Sequence, residues 1–307
     1  MQQGHVVVGV DCFTDYYSRE LKDRNIAGAY RHSNFELVER DLAIGDLTDL
    51  LTGIDGVFHL AAQPGVRGSW GPQFDRYVRN NIAATQHLLE SIVKVDAAIP
   101  VVYASSSSVY GNATTLPVSE KLYLQPVSPY GVSKLAAEHL CYLYGRAHGL
   151  TVSSLRYFTV YGPRQRPDMA FTRFITGALW GRPLQVLGDG TQSRDFTFVL
   201  DAVTATIAAL GSEPGVYNVG GGEVASINAV IDTICEITGA EVRRVYSGTA
   251  RGDVAHTWAD TEGARQSLHW APTYGLRAGL TEHVKWVRSL GEDSKFRDLL
   301  LSETSLG

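Results

Sequence analysis

The sequence predicts an α/β protein: a doubly wound parallel sheet with a smaller C-terminal lobe. Three observations predict it. Short apolar runs such as Val6-Val7-Val8, Val57-Phe58 and Val101-Val102 alternate with helix-like stretches, as strands buried on both faces do. Polar residues suited to chemistry follow the carboxyl ends of those runs, where open α/β sheets bind ligands. Beyond about residue 163 the chain makes excursions that build a second lobe. The expected division is 1–163 for the first domain, with a return at about 196–220, and 164–195 with 221–307 for the second.

Residues 5–11 read as a buried strand ending in an acid, Asp11. In sheets that bind dinucleotides, an acid at the end of the second strand bonds the adenosine ribose, roughly 20 residues after a first strand and a glycine-rich turn. Neither stands before residue 5; Gln2, Gln3, Gly4 and His5 read as the tail of a helix. Asp11 is either that acid or a plain turn residue. Residues 35–39 form the next strand, followed by Asp41 and Leu42. Residues 56–62 form another and end in Leu60, Ala61 and Ala62, where small side chains let a ligand approach the backbone. Arg67 lies in the loop beyond, facing substrate or solvent. Asn80 and Asn81 open a long helix over 82–93.

Residues 101–104 form a short apolar strand, and Ser105, Ser106, Ser107 and Ser108 follow it. About twenty residues on, Ser128-Pro129-Tyr130 leads into a helix that carries Lys134. Tyr130 and Lys134 lie one turn apart on one face. A phenol with a pKa near ~10 is a poor base, but an ammonium held beside it favours the phenolate, so Tyr130 can take a proton from an alcohol. A surface helix with the two side chains merely side by side has the same spacing. Strand, serine cluster and Tyr-x-x-x-Lys helix together are far more specific than any one of them.

With these motifs the chain resembles the extended short-chain dehydrogenase/reductases, and within them the NAD-dependent nucleotide-sugar epimerases, dehydratases and decarboxylases, over almost its whole length. The resemblance implies a Rossmann-like domain, N-terminally incomplete as written, because the glycine-rich turn that holds a pyrophosphate on backbone N–H groups is not in the sequence. A start assigned too late, a cut chain or a protein that binds NAD poorly all fit that reading. It further implies Ser106, Tyr130 and Lys134 as catalytic residues and NAD as cofactor. Contacts to NAD would come from Asp11, Asp41, Leu42, Leu60, Ala61, Ala62, Asn80, Tyr130, Lys134 and Tyr157. The family commonly dimerises through the helix after Asn80 and the Tyr130 helix, so a homodimer is expected; Tyr142, Leu143 and Tyr144 suit such an interface or a monomer core equally.

Residues 151–158 form the next strand, and Gly162, Pro163, Arg164 and Arg166 follow closely. Arginines so placed suggest an anion site, because the guanidinium fork donates two parallel bonds to a carboxylate or phosphate; a basic surface loop is the other reading. The stretch is similar to that of UDP-glucuronate 4-epimerases, which implies that Thr159 and Arg166 contact a sugar carboxylate, with Ser106, Ser107 and Arg67 also on the substrate side. Helices over 171–180, 200–210 and 227–238, the last capped by Ser226, and strands over 184–187 and 216–220 build the rest. By the same resemblance Arg194 grips the UDP diphosphate, Arg251 meets phosphate and Asp253 lies near uridine, although Arg251 is displaced by one position from the usual pattern.

The net charge of −5 over 307 residues, without a basic cluster, argues against nucleic acid as partner. No apolar run reaches the ~18 residues of a membrane span, and no signal peptide is visible. Cys12, Cys141 and Cys235 are scattered, without metal-ligand spacing, and read as reduced thiols of a cytoplasmic protein. Dehydratase relatives carry an Asp-Glu pair directly after the catalytic hydroxyl residue, and decarboxylases usually a Glu at the second position; Ser107 and Ser108 stand there instead. The resulting expectation is NAD-dependent inversion at C4 of a UDP-sugar through a 4-keto intermediate, with UDP-glucuronate going to UDP-galacturonate. UDP-glucuronate decarboxylation, UDP-glucose 4-epimerisation and a non-catalytic homologue are the alternatives.

Overall fold

The computed structural model describes residues 1, 3–248 and 251–304. Its strands are Val7–Asp11 (β1), Phe35–Glu39 (β2), Val57–His59 (β3), Val101–Ser106 (β4), Val152–Tyr157 (β5), Thr159–Tyr161 (β6), Leu184–Leu187 (β7), Ser193–Phe198 (β8), Val216–Val219 (β9), Val224–Ser226 (β10) and Arg244–Ser247 (β11). Its α-helices are Arg19–Ile26 (α1), Thr48–Leu51 (α2), Phe74–Tyr77 (α3), Ala84–Val95 (α4), Pro129–His148 (α5), Ala170–Trp180 (α6), Val199–Ala209 (α7), Ile227–Thr238 (α8), Glu262–Ser267 (α9), Leu276–Gly291 (α10) and Ser294–Glu303 (α11).

The principal sheet has the order β3-β4-β5-β9, all parallel. Val101, Val102 and Tyr103 of β4 are buried together, as a central parallel strand requires. β1 and β2 form a separate parallel pair. Gln3 and Gly4 form a turn, with Gly4 at φ +88°, rather than a helix tail; Gln2 lies outside the described residues.

α5 is delimited by its own sequence. The Ser128 hydroxyl accepts from the Gly131 N–H at 3.1 Å, Pro129 follows at the first turn, and Gly149 closes the helix in the left-handed region. α8 repeats the pattern with Ser226 and Gly239. Asn80 and Asn81, by contrast, do not open a helix. The chain is helical from α3 through a π-helical turn at Val78–Ala83 into α4, and both asparagines lie inside it. The Asn81 amide is drawn sideways: it accepts from the Gln63 N–H at 2.6 Å and donates to the Gln63 carbonyl and the Ser133 hydroxyl. Such single π turns commonly mark functional regions.

The second lobe begins earlier than expected. β6 leaves the principal sheet and joins β10-β8-β6, so the change of sheet falls at Phe158, and the expected boundary at 195/196 cuts through β8. A large apolar cluster around Tyr161, Phe174, Ile231 and Val284 forms the core of this lobe, and Leu21 of α1 is part of it. α11 holds α1 from outside: Ser18 N–H donates to Glu303 at 2.9 Å, Lys295 pairs with Glu20 at 2.8 Å, and Arg24 lies over the Phe296 ring. Among the described residues, no helix is long and apolar enough to cross a membrane.

Candidate active site

β4 ends at Ser106, and the chain turns sharply through Ser107–Val109. The Ser106 hydroxyl accepts from the Ser108 N–H at 3.2 Å, which holds its side chain at the strand end. α5 starts against this turn: a Cβ on Gly131 would stand 2.5 Å from the Ser108 carbonyl oxygen, so glycine alone permits the approach. Tyr130, in the first turn of α5, brings its hydroxyl within hydrogen-bonding reach of Ser106, and its ring meets Tyr77 edge-on at 6.2 Å. Burial pushes the Tyr130 phenol above its ordinary pKa, while the Ser106 bond and the charge of Arg166 act against it.

Lys134 is only 3 % exposed, and its Nζ lies 4.5 Å over the ring of Tyr103. Burial pulls its pKa down to about 8, opposed by Cys141 and Glu138. The expected lowering of the Tyr130 phenol by Lys134 is therefore not what this arrangement produces: the cation acting on Tyr130 is Arg166. A four-residue spacing brings two Cβ atoms together, but the lysine stem carries the charge inward to Tyr103.

Arg166 donates to both oxygens of Asp168 and lies 5.3 Å over the Tyr16 ring; the Tyr16 hydroxyl donates to the same carboxylate at 3.3 Å. Arg67 is exposed, yet close enough to Tyr16 and Arg173 for its charge to act on both. Ser107 and Thr159 are each half-buried, Thr159 paired with Phe196 across β6 and β8. Arg194 is nearly buried and held by its own lobe: it donates to the Ser193 and Ala255 carbonyls and pairs with Asp253 at 2.6 Å. Arg251 is exposed. The next residue, Gly252, at φ +79°, would place a Cβ 3.1 Å from Ser128 and Val66, so this loop of the second lobe lies directly against the start of α5.

Asp11 ends β1, and Asp41 lies two residues past the end of its partner strand β2. Asp11 accepts from the Phe13 N–H at 2.7 Å, and Asp41 pairs with Arg79 at 2.6 Å. A recess beside Asp41 is lined by Glu39, Ile44, Gly45 and Asp49. The Leu42 carbonyl accepts from His87, Leu60 and Ala61 are exposed just past β3 with Ala62 half-buried, and the half-buried Asn80 accepts from Arg79. Two acids at adjacent strand ends, with small residues past the next strand, fit the ribose and adenine half of a dinucleotide. Tyr157 differs: its hydroxyl meets Thr206 of α7 at 2.6 Å and its ring packs beside that helix. Tyr16, Tyr77, Asp168 and Arg173 were not picked out from the sequence, and Asn81 was read only as a helix start. Asp168 had a visible signal, two residues past Arg166; Tyr16, in the loop after β1, had none.

Residues 1–220 match the family model described as the NAD dependent epimerase/dehydratase family. A Bacillus subtilis protein described as an uncharacterized UDP-glucose epimerase is 43% identical over 289 residues, covering 93% of this chain and 91% of its own. A UDP-glucuronate 4-epimerase of Thermodesulfobacterium geofontis is 38% identical, covering 94% and 90%. The solved structure of a Bacillus cereus UDP-glucuronic acid 4-epimerase in complex with UDP-glucuronic acid and NAD is 43% identical, with a TM-score of 0.89 over 93% of this chain and 91% of that one. A strand-end serine facing a tyrosine on the next helix, acids at the ends of β1 and β2, and these likenesses along nearly the whole chain lead to one conclusion: the chain belongs to the NAD dependent epimerase/dehydratase family.

Proposed function

We propose that this enzyme, an NAD-dependent UDP-sugar 4-epimerase, converts UDP-glucuronate to UDP-galacturonate. The observation that carries the reading is the position of Arg166, whose charge reaches the Tyr130 hydroxyl that Ser106 also meets. A sugar whose C4 hydroxyl lies between Ser106 and Tyr130 meets a cation near its C6 group, which suits a carboxylate.

In this reading Tyr130 takes the C4 hydroxyl proton and Ser106 hydrogen-bonds the same oxygen. NAD, when bound, supplies the hydride acceptor and then the donor at C4. Asp11, Asp41, Leu42, Leu60, Ala61, Ala62 and Asn80 would hold it, and Lys134 would meet its ribose. Rotation of the 4-keto sugar presents its other face, and Tyr130 returns the proton. Ser107, Thr159 and Arg166 hold the carboxylate in an orientation that disfavours loss of CO2. Arg67 lies on the sugar side, and Arg194, Arg251 and Asp253 serve the UDP half. The protein acts as a cytoplasmic homodimer through α4 and α5, where Tyr142 and Leu143 are 68% and 55% exposed.

The test is a product assay on UDP-glucuronate with added NAD, by chromatography and mass. UDP-galacturonate as the main product supports the reading. Mainly UDP-xylose overturns the epimerase assignment on this substrate, and a clear preference for UDP-glucose overturns the carboxylate assignment alone.

A further inference from the structure

One row of polar residues crosses the principal sheet beneath α5. Ser105 of β4, Arg156 of β5 and Asn218 of β9 are in register with one another. All three are buried, and so is Glu138, which lies one turn past Lys134 and two turns past Tyr130 on α5. The Ser105 hydroxyl donates to Glu138 at 2.6 Å. Arg156 donates to both oxygens of the same carboxylate, from Nε at 3.1 Å and from Nη2. Its remaining nitrogen, Nη1, donates to the Tyr110 hydroxyl at 2.9 Å and to the Glu120 carbonyl at 3.1 Å. Tyr110 in turn donates to Asn218 at 2.6 Å.

Ser106 is thereby bracketed. The residue before it is tied to Glu138 directly, and the residue four after it is tied to Glu138 through Arg156. A buried ion pair is poor evidence of stabilisation in itself, because desolvating two charges costs about as much as their attraction returns, and a well-packed apolar pair often serves as well. What the pair does provide is direction: its bonds join a strand end, the turn after it and the helix that carries Tyr130. We propose that Glu138 and Arg156 are positioning residues for the C4 chemistry, a buried ion pair that sets Ser106 against Tyr130 and keeps a carboxylate one turn from Lys134. This rests on the reading of Ser106 and Tyr130 as the proton-transfer pair.

The experiment compares wild type, Glu138→Asp, Glu138→Gln, the charge-free double variant Glu138→Gln/Arg156→Met, and Tyr110→Phe, in steady-state kinetics with UDP-glucuronate and UDP-glucose and in thermal melting. The double variant removes both charges of the pair together, so a merely structural pair predicts recovery of melting temperature and turnover together. The proposal predicts a melting temperature near wild type with kcat lowered on the order of 10- to 100-fold and KM changed less than about threefold. It also predicts that the alkaline limb of the kcat–pH profile moves to lower pH in Glu138→Gln, where Lys134 has lost the carboxylate beside it, and returns in Glu138→Asp. A folded double variant with wild-type kcat and pH profile overturns the proposal. If the double variant does not fold, Tyr110→Phe decides: a several-fold loss of kcat at constant KM supports the proposal, and wild-type kcat overturns it. Undiminished turnover in Tyr130→Phe would instead show that the reading of the site itself has failed.

Discussion

Arg166 and Asp168 form a two-pronged ion pair, with the guanidinium Nε and Nη2 each 2.9 Å from a carboxylate oxygen. The pair orients the guanidinium and at the same time cancels much of its charge. Arg166 therefore offers a ligand directed hydrogen bonds more than net attraction.

Asp168→Asn should separate those two effects. With the compensating charge gone, UDP-glucuronate binds more tightly relative to UDP-glucose, by a few-fold, while kcat falls as the guanidinium loses its fixed orientation. The fraction of decarboxylated product rises for the same reason. Binding titrations with both nucleotides and a product assay check this; unchanged discrimination would show that the pair does not govern the acid.

Tyr130→Phe removes the phenol that lies within hydrogen-bonding reach of Ser106 and that the proposed function makes the proton-transfer group. Turnover should fall by at least the ~10²–10⁴-fold typical of a general acid–base group, with the melting temperature nearly unchanged. Kinetics and thermal unfolding on one preparation measure both.

Lys134→Met should stabilise the protein and abolish most of its activity. Burial holds the Lys134 ammonium at about 8 against 10.5 for an ordinary lysine, a difference worth roughly 3 kcal/mol. The sign follows from linkage: the charged form is disfavoured in the folded state, so the penalty is complete below pH 8 and fades as pH rises toward 10.5. Urea unfolding of variant and wild type should differ most at neutral pH, and the gap should narrow across that window.

Gly131→Ala should cost about 1–3 kcal/mol, because the added methyl would meet the Ser108 carbonyl at 2.5 Å. The same displacement moves Ser106 from Tyr130, so kcat should drop with stability. Gly145→Ala, in the same helix with a milder contact of 3.2 Å to the Leu150 carbonyl, is the control that should lose less of both.

Local signals in the sequence located the starts of α5 and α8, because Ser128 with Pro129, and Ser226, begin those helices with their own side chains and backbone. The Ser106–Tyr130 approach was legible for a similar reason: a buried strand end and a helix start leave few arrangements. The π turn around Asn81 was not, since its cause is a bond to Gln63, which lies next to it only in the fold. β6 joins the second lobe because of β8, more than thirty residues later, a pairing that no local pattern announces. The inward course of Lys134 depends on Tyr103, and the bracket of Tyr16 on Arg166 depends on a loop after β1; spacing along the chain carries neither.

α11 grips α1, and the loop leading into α1 carries Tyr16, which touches the Arg166–Asp168 pair. α11 is thus connected, through α1 and Tyr16, to the Arg166–Asp168 pair. For anyone immobilising this protein or fusing it to another, an attachment on α11 is therefore an attachment to the helix that packs on α1, next in the chain to Tyr16.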